Sequence, residues 1–158
     1  MSTDSVCEWL AASAPDIQII DQGVSVATVA EAALALGVEP GRIAKTLCMR
    51  VADMVMLVVA RGDARLSNSK AKAALGAKPR MLDAKDTQDI TGHPVGGVCP
   101  FGLANPLPVY CDVSLRAYDS VFPAAGSRTS SVEIAPERLA QLVDARWIDI
   151  CTLPEDQA

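Results

Sequence analysis

Ile43-Ala44-Lys45-Thr46-Leu47-Cys48-Met49 and, a few residues on, Val55-Met56-Leu57-Val58-Val59 are two apolar runs separated by a turn at Ala52-Asp53. Runs of this length that are apolar on both faces read as buried strands, so the two are expected to pair as a hairpin at the centre of a sheet. Lys45 is the one cation of the first run. A buried ammonium must find a partner or lose its proton, which makes Lys45 a candidate for gripping a carbonyl or a phosphate. The same pattern fits an edge-strand lysine whose stem packs while its head reaches water.

Helix signals flank this hairpin. Ser5-Val6-Cys7-Glu8 and Thr28-Val29-Ala30-Glu31 both fit the capping box, in which hydroxyl and carboxylate satisfy orphan amides, so helices are expected to begin at Ser5 and Thr28, the second ending at Gly37. Ser67-Asn68-Ser69 should cap a helix that carries Lys70 and Lys72 and stops at Gly76. A strand near Met81 and a helix over 84–90 follow. Further strands are expected at Val109-Tyr110-Cys111, at Val132-Glu133-Ile134 and from Trp147 to Cys151, with a helix opened by Pro136. Helices and strands alternate without repeats, low-complexity tracts or a domain boundary, so 158 residues should make one domain.

The helix over 84–90 leads into Gly96-Gly97-Val98-Cys99-Pro100-Phe101-Gly102. Glycine removes the Cβ that would hold a ligand off the backbone and permits positive φ, so neighbouring amides can converge on one point, and Pro100 fixes the turn that follows. Converging N–H groups bind an oxyanion or a phosphate. Glycine and proline between apolar segments also make ordinary turns, and this stretch alone does not decide between the two.

Taken together and in this order, the motifs resemble those of the YbaK/ProX family of trans-editing aminoacyl-tRNA deacylases. The resemblance runs from about Thr28 to Glu133. It is carried by Thr28-Val29-Ala30-Glu31-Ala32-Ala33, Leu36-Gly37-Val38, Ile43-Ala44-Lys45-Thr46-Leu47, Val58-Val59-Ala60-Arg61-Gly62 and Leu75-Gly76-Ala77-Lys78. Thr91-Gly92-His93-Pro94-Val95 leading into the glycine loop, Asp112, Asp119 and Gly126-Ser127 complete it. It implies an α+β fold with a mixed, largely closed sheet surrounded by helices, formed by residues 1–158 as a single deacylase domain. It also implies an editing pocket in which Lys45 and the amides of Gly96, Gly97 and Val98 are catalytic. Thr46, Cys99, Pro100, Phe101, Asp112, Gly126, Ser127 and Arg128 would contact the substrate.

The implied reaction is hydrolysis of the ester joining a small non-cognate amino acid to a tRNA, tRNA-Pro or a similar one. Loop amides would hold the carbonyl oxygen as it gains charge, Lys45 would anchor the carbonyl or the terminal phosphate, and a substrate group such as the ribose hydroxyl would activate water. The implied partners are the aminoacyl-tRNA acceptor end and an aminoacyl-tRNA synthetase, with no cofactor, in a monomer or homodimer. Two departures stand out: Arg128, where several relatives carry histidine or arginine, departs from the histidine form, and Ser25-Val26-Ala27 lacks the histidine that relatives often place before the capping threonine. Two other classes remain open: a non-catalytic module binding tRNA or a synthetase, and a small-ester hydrolase using the Cys99 thiol as nucleophile. Asp112 could instead cap a turn before Ser114, and Asp119 could pair with Arg116 or Arg128.

Composition fits a cytoplasmic enzyme. The longest apolar run, Met54 to Ala60, is far short of the roughly 20 residues needed to span a bilayer, and the first residues lack the basic and apolar regions of a signal peptide. Five scattered cysteines and a single histidine, His93, with no CxxC pair, read as reduced thiols and speak against a metal site. Net charge is −5, but residues 42–80 hold nine basic side chains against two acidic ones. Such a segment could orient a tRNA end, or form a merely solvated basic face.

Overall fold

The computed structural model describes residues 2–157. In chain order the elements are α1 (Ser2–Ser13), β1 (Ile20–Asp21), α2 (Val29–Leu36), β2 (Ile43–Val51), β3 (Met54–Arg61), β4 (Arg65–Leu66), α3 (Asn68–Leu75), β5 (Arg80–Met81) and α4 (Ala84–Thr91). After a long irregular stretch come β6 (Val109–Asp112), β7 (Phe122–Pro123), β8 (Ser130–Ser131), α5 (Pro136–Leu142), β9 (Arg146–Ile148) and β10 (Cys151–Thr152).

The expected hairpin is the centre of the fold. β2 and β3 pair antiparallel from Ala44 opposite Arg61 to Val51 opposite Met54, with Ala52 at φ +53° in the turn. β3 continues through parallel pairing to β6, and β6 to β9, in the order β5-β2-β3-β6-β9. The outer edge of β2 is covered in two pieces: β7 runs parallel beside Ile43-Ala44, and β5 antiparallel beside Met49-Arg50. The sheet is therefore α+β and mixed, as expected, but open. β5 and β7 are two residues long and do not reach round to β9.

Strand alternation sends successive side chains of β2 to opposite faces. Ala44 and Cys48 join Leu57, Val59 and Cys111 in the larger core under Phe101, Leu115 and Leu139, while Met49 and Val51 join Met56, Val58, Ala60, Ile150 and Cys151 on the other face. Each fully buried aliphatic or aromatic side chain here contributes about 1.5–3 kcal/mol.

Helix capping follows the sequence in most places. Thr28 accepts from the Glu31 amide, Ser67 from the Lys70 amide and Asp83 from the Asp86 amide, and Gly37, Gly76 and Gly92 close their helices in the left-handed region. Three expectations shift. α1 already begins at Ser2, so Ser5 and Glu8 lie within it, where the amides have helical partners and no box is needed. The strand expected at Val132-Glu133-Ile134 is instead β8, with Ile134 making an isolated bridge to Val121. The run Trp147 to Cys151 splits into β9 and β10. The Ile150 amide leaves the sheet for the Asp112 carboxylate, the Ile150 carbonyl accepts from Ser67, and Cys151 then pairs with Leu66. Among the described residues no helix is long and apolar enough to cross a membrane.

Candidate functional site

Between β7 and β5 the outer edge of β2 has no ladder partner at Lys45-Thr46-Leu47. A cavity of about 290 Å³ opens there, walled by β2, the start of α2 and the glycine loop. Ala44, Thr46 and Cys48 present the same face of β2 to it, opposite Thr28, Ala32, Gly96 and Val98. Its polar side-chain groups are the Cys48 thiol and the hydroxyls of Thr28, Thr46, Thr87 and Ser131, with Lys45 at its border. Among the described residues no carboxylate or imidazole lines it. Thr46 Oγ1 is buried and has no hydrogen-bond partner among the described residues. Burial pushes the Cys48 thiol up, against a bond to Thr87 that lowers it.

The glycine loop is keyed into the segment after β7. A Cβ on Gly97 would lie 2.7 Å from the Ser127 amide nitrogen and 2.9 Å from the Gly126 carbonyl carbon, so the two backbones meet with no room for a side chain. The Gly97 N–H donates to the Pro94 carbonyl at 2.9 Å, and its carbonyl accepts from Gly126 at 3.0 Å. Gly96 has φ +95°, and a Cβ there would come within 2.8 Å of Ala27 Cβ. Arg128 Nε donates to the Val95 carbonyl at 3.0 Å, holding the loop from outside. Of the three amides expected to converge, the one on Gly97 is therefore taken by the loop's own turn. Those of Gly96 and Val98, both in the cavity wall, make no hydrogen bond among the described residues.

Lys45 borders the cavity at the strand edge, but its ammonium turns away. Lys45 lies opposite Ala60 of the second core, and Nζ donates to the Ala64 carbonyl on that face. Burial lowers its pKa, offset by Cys151, Asp63 and Asp112 and reinforced by Arg65. Thr46, by contrast, faces the cavity as the strand's alternation requires.

Cys99, Pro100 and Phe101 go under the loop rather than to its surface. Cys99 and Phe101 are fully buried in the larger core, and the Phe101 ring packs 5.4 Å from that of Trp9. Burial pushes the Cys99 thiol up to about 12, against hydrogen bonds to the Phe101 and Gly126 backbone that lower it; the Phe101 carbonyl and His93 Nε2 each lie 3.7 Å from the sulfur. The sulfur is fully buried and its ionisation is disfavoured, both of which oppose a role as nucleophile. His93 is buried with Nε2 2.7 Å from the Phe101 carbonyl, and desolvation lowers its pKa.

Asp112 is also structural: its two carboxylate oxygens accept from the Ser114 and Ile150 amides at 2.9 and 2.8 Å, as the capping alternative foresaw. The Ser127 hydroxyl bonds Ser130 at 2.6 Å, and Gly126 supports Gly97, so both lie behind the loop. Arg116 pairs with Glu137 and Arg128 with Val95, which leaves Asp119 to neither. The sequence reading missed Thr87 and Ser131 as wall residues, and Cys48, whose spacing of two from Thr46 marked it as sharing that face. Thr87 and Ser131 carried no such signal, because long-range packing brings them in.

The basic segment does not survive as one surface. Arg61 is buried against Asp63 and Glu155, Arg42 meets Ser120 and Glu133, and Lys70 reaches Asp149. Arg50 and Arg80, in contrast, stand directly opposite each other across β2 and β5.

The chain matches the family described as the aminoacyl-tRNA editing domain over residues 24–142. It is 48% identical over 129 residues to the uncharacterized protein YwhH of Bacillus subtilis, covering 80% of this chain and 82% of that one. It is 36% identical over 132 residues to EbsC of Enterococcus faecalis, a proposed Cys-tRNA(Pro)/Cys-tRNA(Cys) deacylase, covering 82% and 78%. The crystal structure of a proposed trans-editing enzyme for prolyl tRNA synthetase superposes with a TM-score of 0.88 at 30% identity, covering 96% of this chain and 97% of that one. A cavity between a sheet edge and a glycine loop, in a chain matched over most of its length, thus has a family: the protein belongs to the aminoacyl-tRNA editing domains.

Proposed function

We propose that this protein hydrolyses the ester of a tRNA mischarged with a small amino acid, acting in trans as a single domain. The observation that carries the reading is the cavity wall: Gly96 and Val98, whose amides make no hydrogen bond among the described residues, line about 290 Å³ together with Thr46, whose buried hydroxyl also has no partner among them. Two backbone donors beside one pocket are the chemistry an acyl oxyanion needs, each worth about 2.7–4 kcal/mol in comparable sites. Thr46 offers a hydrogen bond to the amino or hydroxyl groups next to the scissile carbonyl. The volume and apolar walls suit side chains of the size of alanine, serine or cysteine.

Among the described residues the wall holds no carboxylate or imidazole, so in this proposal the protein's part is to bind, orient and stabilise, with proton transfer left to the ribose hydroxyl of the substrate and water. Lys45 joins this scheme as an anchor for the carbonyl or terminal phosphate once its ammonium exchanges the Ala64 carbonyl for substrate around the uncovered edge of β2. An aminoacyl-tRNA synthetase that supplies the mischarged tRNA is the fitting partner.

The test is release of amino acid from tRNA-Pro charged with alanine, cysteine, serine, threonine or 2-aminobutyrate. The wild type should release one or two of the smaller ones, and Cys99→Ala should keep that activity. Release from none, or activity lost in Cys99→Ala with the fold intact, would overturn the proposal. Lys45→Ala should lose activity at an unchanged melting temperature. Loss accompanied by a large drop in melting temperature would assign Lys45 to holding β2 on the β3–β4 turn instead.

A further inference from the structure

The Arg50–Arg80 pair is the feature of this surface that local stability does not explain. Residues directly opposite in an antiparallel ladder project to the same face with Cβ atoms about 4.5–5.5 Å apart, and like charges placed so are destabilising. Both arginines are exposed, and neither is in an ion pair among the described residues. The acidic groups next to them in sequence are Asp53, in the hairpin turn, and Asp83, whose carboxylate caps α4 through the Asp86 amide. In a chain of net charge −5, two arginines facing each other form a local concentration of positive charge.

Their face is the cavity's face. On β2, Arg50 follows Ala44, Thr46 and Cys48 in the alternation, all three in the cavity wall. On β5, Arg80 precedes Leu82 by two, and Leu82 both lines the cavity and donates its amide to the Cys48 carbonyl. Across β2 from Arg50, Val55 packs against the larger core on that side. Cα to Cα, Arg50 is about 6.8 Å along the strand from Cys48. A chain leaving the cavity in that direction would run past the strand positions of Arg50 and Arg80.

We infer that Arg50 and Arg80 clamp a backbone phosphate of the single-stranded RNA end whose terminal ester enters the cavity. This rests on the editing reading and adds to it the groups that grip the nucleic acid. Guanidinium groups match phosphate in fork geometry, and a phosphate seated between the two would turn their repulsion into attraction. Contacts of this kind set register and orientation without reading sequence, as suits a single-stranded end that carries the ester.

The test compares wild type with R50Q/R80Q, binding a fluorescent RNA minihelix with a single-stranded CCA end and hydrolysing the same minihelix charged with cysteine or alanine. Removing two like charges from a strand pair should leave the melting temperature unchanged or raised. Affinity should fall about tenfold or more at low salt, and the slope of log affinity against log salt should shrink by about 0.7, the contribution of one phosphate on a single strand. Hydrolysis of aminoacyl-adenosine, which has no phosphate, should not change between the two proteins. Equal affinity and slope in both, or no minihelix binding by the wild type, would overturn the clamp. Binding that weakens in the variant while the wild type hydrolyses neither substrate would uphold the clamp and overturn the deacylase reading.

Discussion

Replacing Thr46 by valine should make the protein more stable and less active. Valine has nearly the shape of threonine, so the strand and its packing are kept, and what changes is one hydroxyl. That hydroxyl is buried without a partner among the described residues. A buried polar group left unsatisfied costs about 1–3 kcal/mol, so its removal should raise stability by about 1 kcal/mol, or about 2–4 °C in melting temperature for a chain of this size. In the substrate complex the sign reverses. A lost bond to a neutral group costs about 1 kcal/mol and one to a charged ammonium about 1.5–3, so kcat/KM should fall about 5- to 150-fold. Thermal unfolding and single-turnover deacylation, run beside Thr46→Ser, measure both quantities. The serine variant keeps the hydroxyl and should keep most of the activity. A valine variant as active as the wild type, or less stable than it, would refute the idea that the orphan hydroxyl is held for substrate.

Gly97→Ala should cost about 2–4 kcal/mol, from about 1–3 for overpacking and about 1 for the strained Gly126 to Gly97 bond. Urea denaturation measures it against Gly23→Ala, where a Cβ meets nothing within 4 Å and only the positive φ is penalised; equal midpoints for the two would refute the keyed loop. Stability should also fall on mild acidification because burial lowers the His93 pKa. The unfolded imidazole binds its proton near pH 6.5 while the folded one stays neutral to lower pH. The unfolded state therefore carries more protons in that window and gains as pH drops through it. Asp16, held near 2 by Arg138, loses its contribution only in stronger acid, so a urea midpoint flat from pH 7 to 5 would count against the buried neutral imidazole.

The elements legible in sequence were those whose signal is local. Thr28, Ser67 and the glycines at 37 and 76 bound their helices through bonds spanning three or four residues, and the β2–β3 hairpin has a turn of two residues between long apolar runs. What failed to read was decided by distant partners. Trp147 to Cys151 looks like one strand until the Asp112 carboxylate takes the Ile150 amide from 38 positions away. The glycine loop read correctly as a place where backbone comes close to something. That something includes Gly126 and Ser127, a contact that takes Gly97 out of the donor set. Cys99, next in line, is covered by the same packing, and no spacing rule distinguishes a cysteine above a loop from one beneath it.

The two faces of β2 divide the work that the sequence seemed to place on one. Lys45 and Thr46 are adjacent, so strand alternation must send them to opposite sides of the sheet, and a reading that put both in one pocket could hold only if the sheet ended beside them. It does end there. β7 leaves β2 after Ala44 and β5 joins at Met49, so Lys45 sits on the far face but at an uncovered edge. A lysine stem is long enough to round such an edge, whereas the same residue on β3, covered on both sides, would be shut off from the cavity. Its tie to the Ala64 carbonyl gives the ammonium a partner in the empty protein, and burial keeps that tie from being a deep well by disfavouring the charge. An anionic substrate group at the edge offers the ammonium a stronger partner than a carbonyl does. The gap between β7 and β5 opens the cavity and, in the proposed reaction, would give Lys45 a route from the opposite face to it.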